Sequence, residues 1–255
     1  ERIEVVRALG KLRALSEALR DRPLTGTVGV GHTRWATHGR PSEENAHPHR
    51  DCTGHIVVVH NGIIENYLSL KQHLEVQGHH FKTDTDTEVV AHLVEEERQD
   101  DGLENAVRRA LLQLRGLFGM VFVDADDPDK IIAVRNGPPI VVGMGDGEFV
   151  VASDIPAVLG HTRDVVFLGD EEMAVITREQ VEFTNFAGQA ASKATQRIQW
   201  DPVMAEKAGY KHFMLKEIFE QPWSIQETVL GRMSEELGSV LLGDLELSSD
   251  ALKTV

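Results

Sequence analysis

Cysteine is nearly absent from this 255-residue sequence: Cys52 stands alone, so no disulfide can staple the chain internally. No run of roughly 18 apolar residues occurs, which removes a membrane-spanning helix from the readings. Positive charge is also in short supply, 26 Lys and Arg against 41 Asp and Glu, for a formal net charge of −15. A surface of that sign repels a nucleic-acid backbone and an anionic membrane, so neither is expected as a partner. No secretory signal is visible, and a reducing cytoplasm is the expected compartment. HExxH patterns, paired Cys-x-x-Cys motifs, internal repeats and low-complexity tracts are all missing. What remains is a chain of 41% hydrophobic residues, long enough for one large domain or a domain plus an appendage. A small polar metabolite is the natural partner.

The hydrophobic pattern alternates between helix and strand periods. Residues 1–20 read as a helix with Leu12, Leu15 and Leu19 on one face, and residues 27–31 as a strand. A polar loop spans residues 41–54. Ile56-Val57-Val58-Val59 is a continuous apolar run, expected to be a fully buried strand, and leads into a turn at Asn61-Gly62. Leu70 and Leu74 mark a helix that stops near Gly78. Thr83, Asp84, Thr85 and Asp86 offer several N-caps for a helix through Val89–Val94. Leu103, Ala106, Val107, Ala110, Leu111 and Leu114 give the clearest helical face. From residue 117 onward short apolar strands alternate with turn residues, and residues 189–208 read as a polar surface connection. Helices between blocks of strands imply two sheets with helices packed around them, an α+β chain. Periodicity leaves the layer order open.

Two dense motifs sit next to strands, where sites are usually mounted on rigid scaffolds: His32-Thr33-Arg34-Trp35-Ala36-Thr37-His38-Gly39 and His60-Asn61-Gly62-Ile63-Ile64-Glu65-Asn66. Arg34 has the planar fork that grips a carboxylate, or it is a surface ion-pair partner. Asp86 could hold an ammonium group or only cap a helix, and spacing does not separate it from Asp84. Asn61-Gly62 is either a pair of oxyanion donors or a hairpin turn. Trp35 could be plain core. The histidines at 32, 38, 47, 49, 55 and 60 admit a zinc hydrolase as a rival, although they lack its usual spacing. Cys52 follows Arg50-Asp51 in a loop with little to depress its pKa, and is expected to be an ordinary loop thiol.

Together with Asn45-Ala46-His47-Pro48-His49, Thr85-Asp86-Thr87-Glu88-Val89 and the segment from Tyr210-Lys211-His212 to Gln221-Pro222, the two motifs resemble the glutaminase domain of glutamine–fructose-6-phosphate aminotransferases. These are class II glutamine amidotransferases of the N-terminal-nucleophile hydrolase type. The resemblance implies a four-layer α-β-β-α sandwich over residues 1–209. It also implies that residues 210–255 are the linker and start of a sugar-phosphate isomerase domain. L-Glutamine would be bound through Arg34, Trp35, Thr37, His38 and Asp86, with Asn61 and Gly62 forming the oxyanion hole. Neither metal nor organic cofactor is implied. Fructose 6-phosphate would meet the released ammonia in the synthase domain of a homodimeric full-length protein. The family's nucleophile is a cysteine at the mature N-terminus, whereas this chain begins Glu1-Arg2. The expectation is therefore a chain lacking its leading segment, with little or no activity alone. A non-catalytic glutamine-binding or interaction domain is the alternative, and a metal-dependent hydrolase a more distant one.

Overall fold

Residues 2–34, 39–199, 210, 212–229, 233–234 and 239–240 are described by the computed structural model. The chain divides into two compact units, residues 1–199 and 200–255. In the first, one antiparallel sheet has the order β1-β2-β3-β4-β8-β9. Its strands are β1 His49–Arg50, β2 Ile56–Ile64, β3 Gly116–Asp124, β4 Asp127–Asn136, β8 Glu172–Ile176 and β9 Val181–Asn185. The second sheet, also antiparallel, has the order β10-β7-β5-β6, with β5 Val141–Met144, β6 Phe149–Ala152, β7 Asp164–Phe167 and β10 Gln196–Arg197.

Strand alternation places one layer on each side of the larger sheet. On one face, Ile56, Val58, Phe118, Met120, Phe122, Ile132 and Val134 are buried against three helices: α2 (Tyr67–Val76), α3 (Thr87–Glu96) and α4 (Leu103–Leu111). The residues between them on the strands, Val59, Val121 and Ala133, face the other way and join Ile140, Val142 and Leu168 of the second sheet. With both faces covered, β2 is apolar at every position from 56 to 59, and all four side chains are buried. The far face of the second sheet is closed by Val158, Leu159 and Ile198 beside a short 3-10 turn, Ile155–Ala157. Ile198 and β10 thus give part of the expected surface connection a structural task. The second unit contains α5, Phe213–Val229, with Pro222 inside it. It also contains a two-stranded pair, β11 Met233–Ser234 with β12 Ser239–Val240. The described residues therefore form an α+β fold with two antiparallel sheets in the first unit and five α-helices in all.

Three local expectations change. The first helix, α1, covers only Leu12–Asp21 and has no fully buried side chain; residues 2–9 are irregular, and Gly10 takes φ +102°. Residues 27–31 form no strand, because no neighbouring segment completes a ladder for them among the described residues. Asn61-Gly62 is not a turn: β2 continues through it, with Asn61 opposite Gly119 and Gly62 opposite Phe118.

Candidate functional site

The distal half of β2 builds one wall of the site. Gly62 lies at φ +130°, and a Cβ placed there would come within 2.0 Å of the Leu117 carbonyl oxygen on β3. Only glycine fits this close strand pair. The neighbouring Asn61 uses its side-chain Oδ1 to accept a hydrogen bond from His32 Nε2 at 2.8 Å. Since an amide oxygen can only accept, His32 must carry its proton on Nε2, and the Asn61 Nδ2 hydrogens remain as donors.

The opposite wall is the start of α3. Asp86 occupies the cap position there yet makes no cap hydrogen bond. Its Oδ2 instead accepts the Ile64 N–H at 2.8 Å, tying the helix start to the end of β2. Capping falls to Thr85, whose Oγ1 accepts the Glu88 N–H at 3.4 Å. The Glu88 carboxylate in turn takes the backbone N–H groups of Lys82 and Thr83 at 2.8 and 2.7 Å. Asp84 does other work: its N–H donates to Asn45 Oδ1 at 3.0 Å, holding the loop that carries Asn45. Of the two acids, Asp86 and not Asp84 lines the cavity described below.

Arg34 closes the third side. Its guanidinium donates to the carbonyls of Gly39 and Arg40 at 3.0 and 3.2 Å. Arg34, Asn61, Gly62 and Asp86 line one cavity of about 290 Å³. Of three larger clefts, those of about 600 and 970 Å³ border residues 2–6 and contain none of these four, and one of about 390 Å³ is lined by Arg34 alone among them. Trp35, Thr37 and His38 lie outside the described residues.

A group of imidazoles backs the cavity, which the sequence suggested only as a local density of histidine. The His32 and His47 rings stack with centroids 4.1 Å apart, and His49 meets His47 edge-on at 4.7 Å. The Thr87 hydroxyl contacts His60 Nδ1 at 3.0 Å and His47 Nε2 at 3.2 Å. Burial holds His32, His47 and His60 below the usual histidine range. His49 is pushed down to about 3 by burial and then by Arg7. Near neutral pH these rings are uncharged, so among the described residues the charged side chains lining the cavity are Arg34 and Asp86. One charge of each sign, with amide donors between them, suits a zwitterionic amino acid.

Cys52 belongs elsewhere. Its Sγ lies 3.6 Å from His79 Nδ1 and 3.4 Å from His92 Nδ1, two neighbours that its sequence context did not reveal. Burial raises the thiol pKa, and the Glu95 carboxylate adds to the effect. The side chain is therefore not an activated nucleophile.

A family model described as "Glutamine amidotransferase domain" matches residues 32–160. Glutamine–fructose-6-phosphate aminotransferase (isomerizing) from Thermus thermophilus is 50% identical over 95% of this chain and 40% of its own length. Its counterpart from Thermococcus kodakarensis is 49% identical over 91% of this chain and 39% of its own. The chain thus spans about two-fifths of the length of these curated relatives. Among solved structures, the glutamine phosphoribosylpyrophosphate amidotransferase of B. subtilis superposes with a TM-score of 0.58. It has 28% identity and covers 69% of this chain and 39% of that one. The chain belongs to the class II glutamine amidotransferase domain family and is homologous to the N-terminal part of glutamine–fructose-6-phosphate aminotransferase.

Proposed function

We propose that residues 1–209 are the glutamine-binding portion of a glutaminase that releases ammonia from L-glutamine. In the full-length protein that ammonia would be transferred to fructose 6-phosphate, giving glucosamine 6-phosphate. The observation that carries this reading is the convergence of Arg34, Asp86, Asn61 and Gly62 on one cavity. Arg34 would take the substrate α-carboxylate and Asp86 its α-ammonium, with Trp35, Thr37 and His38 completing the enclosure. The substrate's Cδ carbonyl would then face Asn61 Nδ2 and the Gly62 N–H, donors aimed where negative charge develops as a nucleophile adds. Glycine at 62 allows the closest approach of that amide.

The attack is placed elsewhere than on Cys52, which does not line the cavity that Arg34, Asp86, Asn61 and Gly62 share. The resemblance assigns the attack to a cysteine at the mature N-terminus, its α-amino group serving as base. Thioester formation and hydrolysis by that route require neither metal nor organic cofactor. The same reading makes residues 210–255 the linker and beginning of a sugar-phosphate isomerase domain. It also gives the complete protein a dimeric, cytoplasmic form and the glutaminase its four-layer α-β-β-α sandwich, completed beyond the three layers described above.

The test joins the chain to a leading segment that supplies the terminal cysteine and measures glutamate release. Turnover is expected, and Asn61→Ala should lower kcat by roughly 10²–10³ as one oxyanion donor is lost. Arg34→Ala should act mainly by raising KM. Glutamine binding without turnover in the joined protein would favour the non-catalytic module, and an unchanged kcat in Asn61→Ala would refute the oxyanion assignment.

A further inference from the structure

Away from the cavity, four ligand-type atoms converge with no role in the proposed glutaminase. Cys52 lies in the loop after β1, His79 follows the end of α2, and His92 and Glu95 are one turn apart on α3. Their Sγ, two Nδ1 atoms and a carboxylate oxygen all lie within 4.8 Å of one another. The separations are 3.6 and 3.4 Å from sulfur to the two nitrogens and 3.3 Å between the nitrogens. Glu95 Oε2 stands 3.1 Å from His79 Nδ1 and 3.4 Å from His92 Nδ1. A tetrahedron with bonds of about 2.0–2.1 Å to nitrogen or oxygen and about 2.3 Å to sulfur has edges of roughly 3.3–3.6 Å. The five separations given fall at or close to that range, and the sixth, from sulfur to the carboxylate oxygen, is within 4.8 Å.

The far sides of the two rings carry a second, independent sign. His79 Nε2 lies 3.1 Å from Glu96 Oε2, an outward acceptor for the ring proton that leaves Nδ1 available as a ligand when a cation stands between it and Glu95. His92 Nε2 has Glu88 Oε1 behind it at 3.7 Å, an electrostatic distance that favours the same tautomer. A carboxylate behind each imidazole is the arrangement that orients metal-ligating histidines. The backbone supports the sulfur too, since the His80 N–H donates to Cys52 Sγ at 3.5 Å. Glu95 Oε2 also accepts the Cys52 backbone N–H at 2.9 Å, while the two Nδ1 atoms, 3.3 Å apart, cannot both carry a proton toward one another. A shared cation satisfies all four.

We propose that Cys52, His79, His92 and Glu95 form a structural binding site for a thiophilic divalent cation of the zinc class. Binding transfers the Cys52 thiol proton to solvent, and the thiolate with the Glu95 carboxylate then balances the dipositive ion. Four protein ligands leave no open position for water, so the site braces rather than catalyses. The ion would tie the loop after β1 and the end of α2 to α3, the helix whose start carries Asp86. His92 is 1% exposed and His79 8%, while Cys52 is exposed and marks the entrance.

Metal-stripped full chain titrated with zinc ion alone should take up one equivalent and unfold at higher temperature. Cobalt ion alone should give visible bands of tetrahedral intensity and a near-ultraviolet thiolate charge-transfer band. Cys52→Ser, an exposed change that leaves the core intact, should abolish that band and weaken zinc binding at least tenfold. Substoichiometric zinc uptake with no cobalt spectrum would overturn the proposal, the inward atoms then being held by protons. Full uptake that Cys52→Ser leaves unaltered would overturn it as well, by locating the ion elsewhere. Neither result bears on glutamine, so this site and the cavity are tested separately.

Discussion

Gly62→Ala is the sharpest perturbation of the site wall. The residue sits at φ +130°, where an L side chain is strained by about 1–3 kcal/mol. The new methyl would start 2.0 Å from the Leu117 carbonyl oxygen and 2.9 Å from its carbonyl carbon. Both are backbone atoms of the paired strand β3, so relief requires moving the ladder, an overpacking penalty of about 1–3 kcal/mol more. The combined loss is about 2–6 kcal/mol. Gly147→Ala is the matched control: its φ is +74°, with nothing within 4 Å of the added carbon, and it should lose only about 1–2 kcal/mol from the left-handed backbone. Urea unfolding of both variants, at a slope of about 3 kcal/mol/M, should place the Gly62→Ala midpoint lower by about 0.8 M for mid-range losses of about 4 and about 1.5 kcal/mol. Equal midpoints would refute the claim that β2 and β3 approach too closely for a side chain.

Stability should fall as pH drops from 7 to 5. His49 is neutral when folded down to about 3 and sits among Arg7, Arg34, His32 and Glu88, with burial as the main cause. His60, facing Asp86 and His32, and His47, facing His32, His49, His60 and Arg34, are shifted in the same direction. The unfolded chain protonates these rings below about pH 6.5, so stability is fullest above that value and is lost as pH falls toward the folded values. Each ring contributes up to about 1.4 kcal/mol per pH unit. Urea midpoints that stay level between pH 7 and 5 would contradict this. A second pair of variants separates the two roles of Asp86. Asp86→Ala strips the buried Ile64 N–H of its acceptor and should destabilise by about 1–3 kcal/mol. Asp86→Asn keeps an acceptor oxygen and should stay within about 1 kcal/mol of the parent in unfolding, while calorimetry on the cysteine-bearing protein should find glutamine binding lost. Retained binding in Asp86→Asn would remove the ammonium role.

The helices were legible wherever leucines and alanines repeat on one face, as at residues 103–111, because that spacing lines up a single stripe only in a helix. The apolar run at residues 56–59 likewise announced a strand covered on both faces. The segment at residues 27–31 misled, since β-branched residues favour an extended backbone but only a partner strand makes it a ladder. Asn61-Gly62 has the dipeptide chemistry of a hairpin, an alternative that the lack of alternation in Ile63-Ile64-Glu65-Asn66 counts against, and pairing with β3 carries β2 straight through it.

By itself the sequence determined the α+β class, the identity of the motif residues and the absence of any internal disulfide, all properties set by composition and local spacing. Tertiary structure decided that Asp86 rather than Asp84 reaches the cavity, and that His32, His47, His49 and His60 gather there while His79 and His92 stand together elsewhere. It also placed Cys52 beside imidazoles 27 and 40 residues away. Such choices depend on which distant strands and helices pack together, and no local pattern of side chains encodes the direction in which a given group finally points.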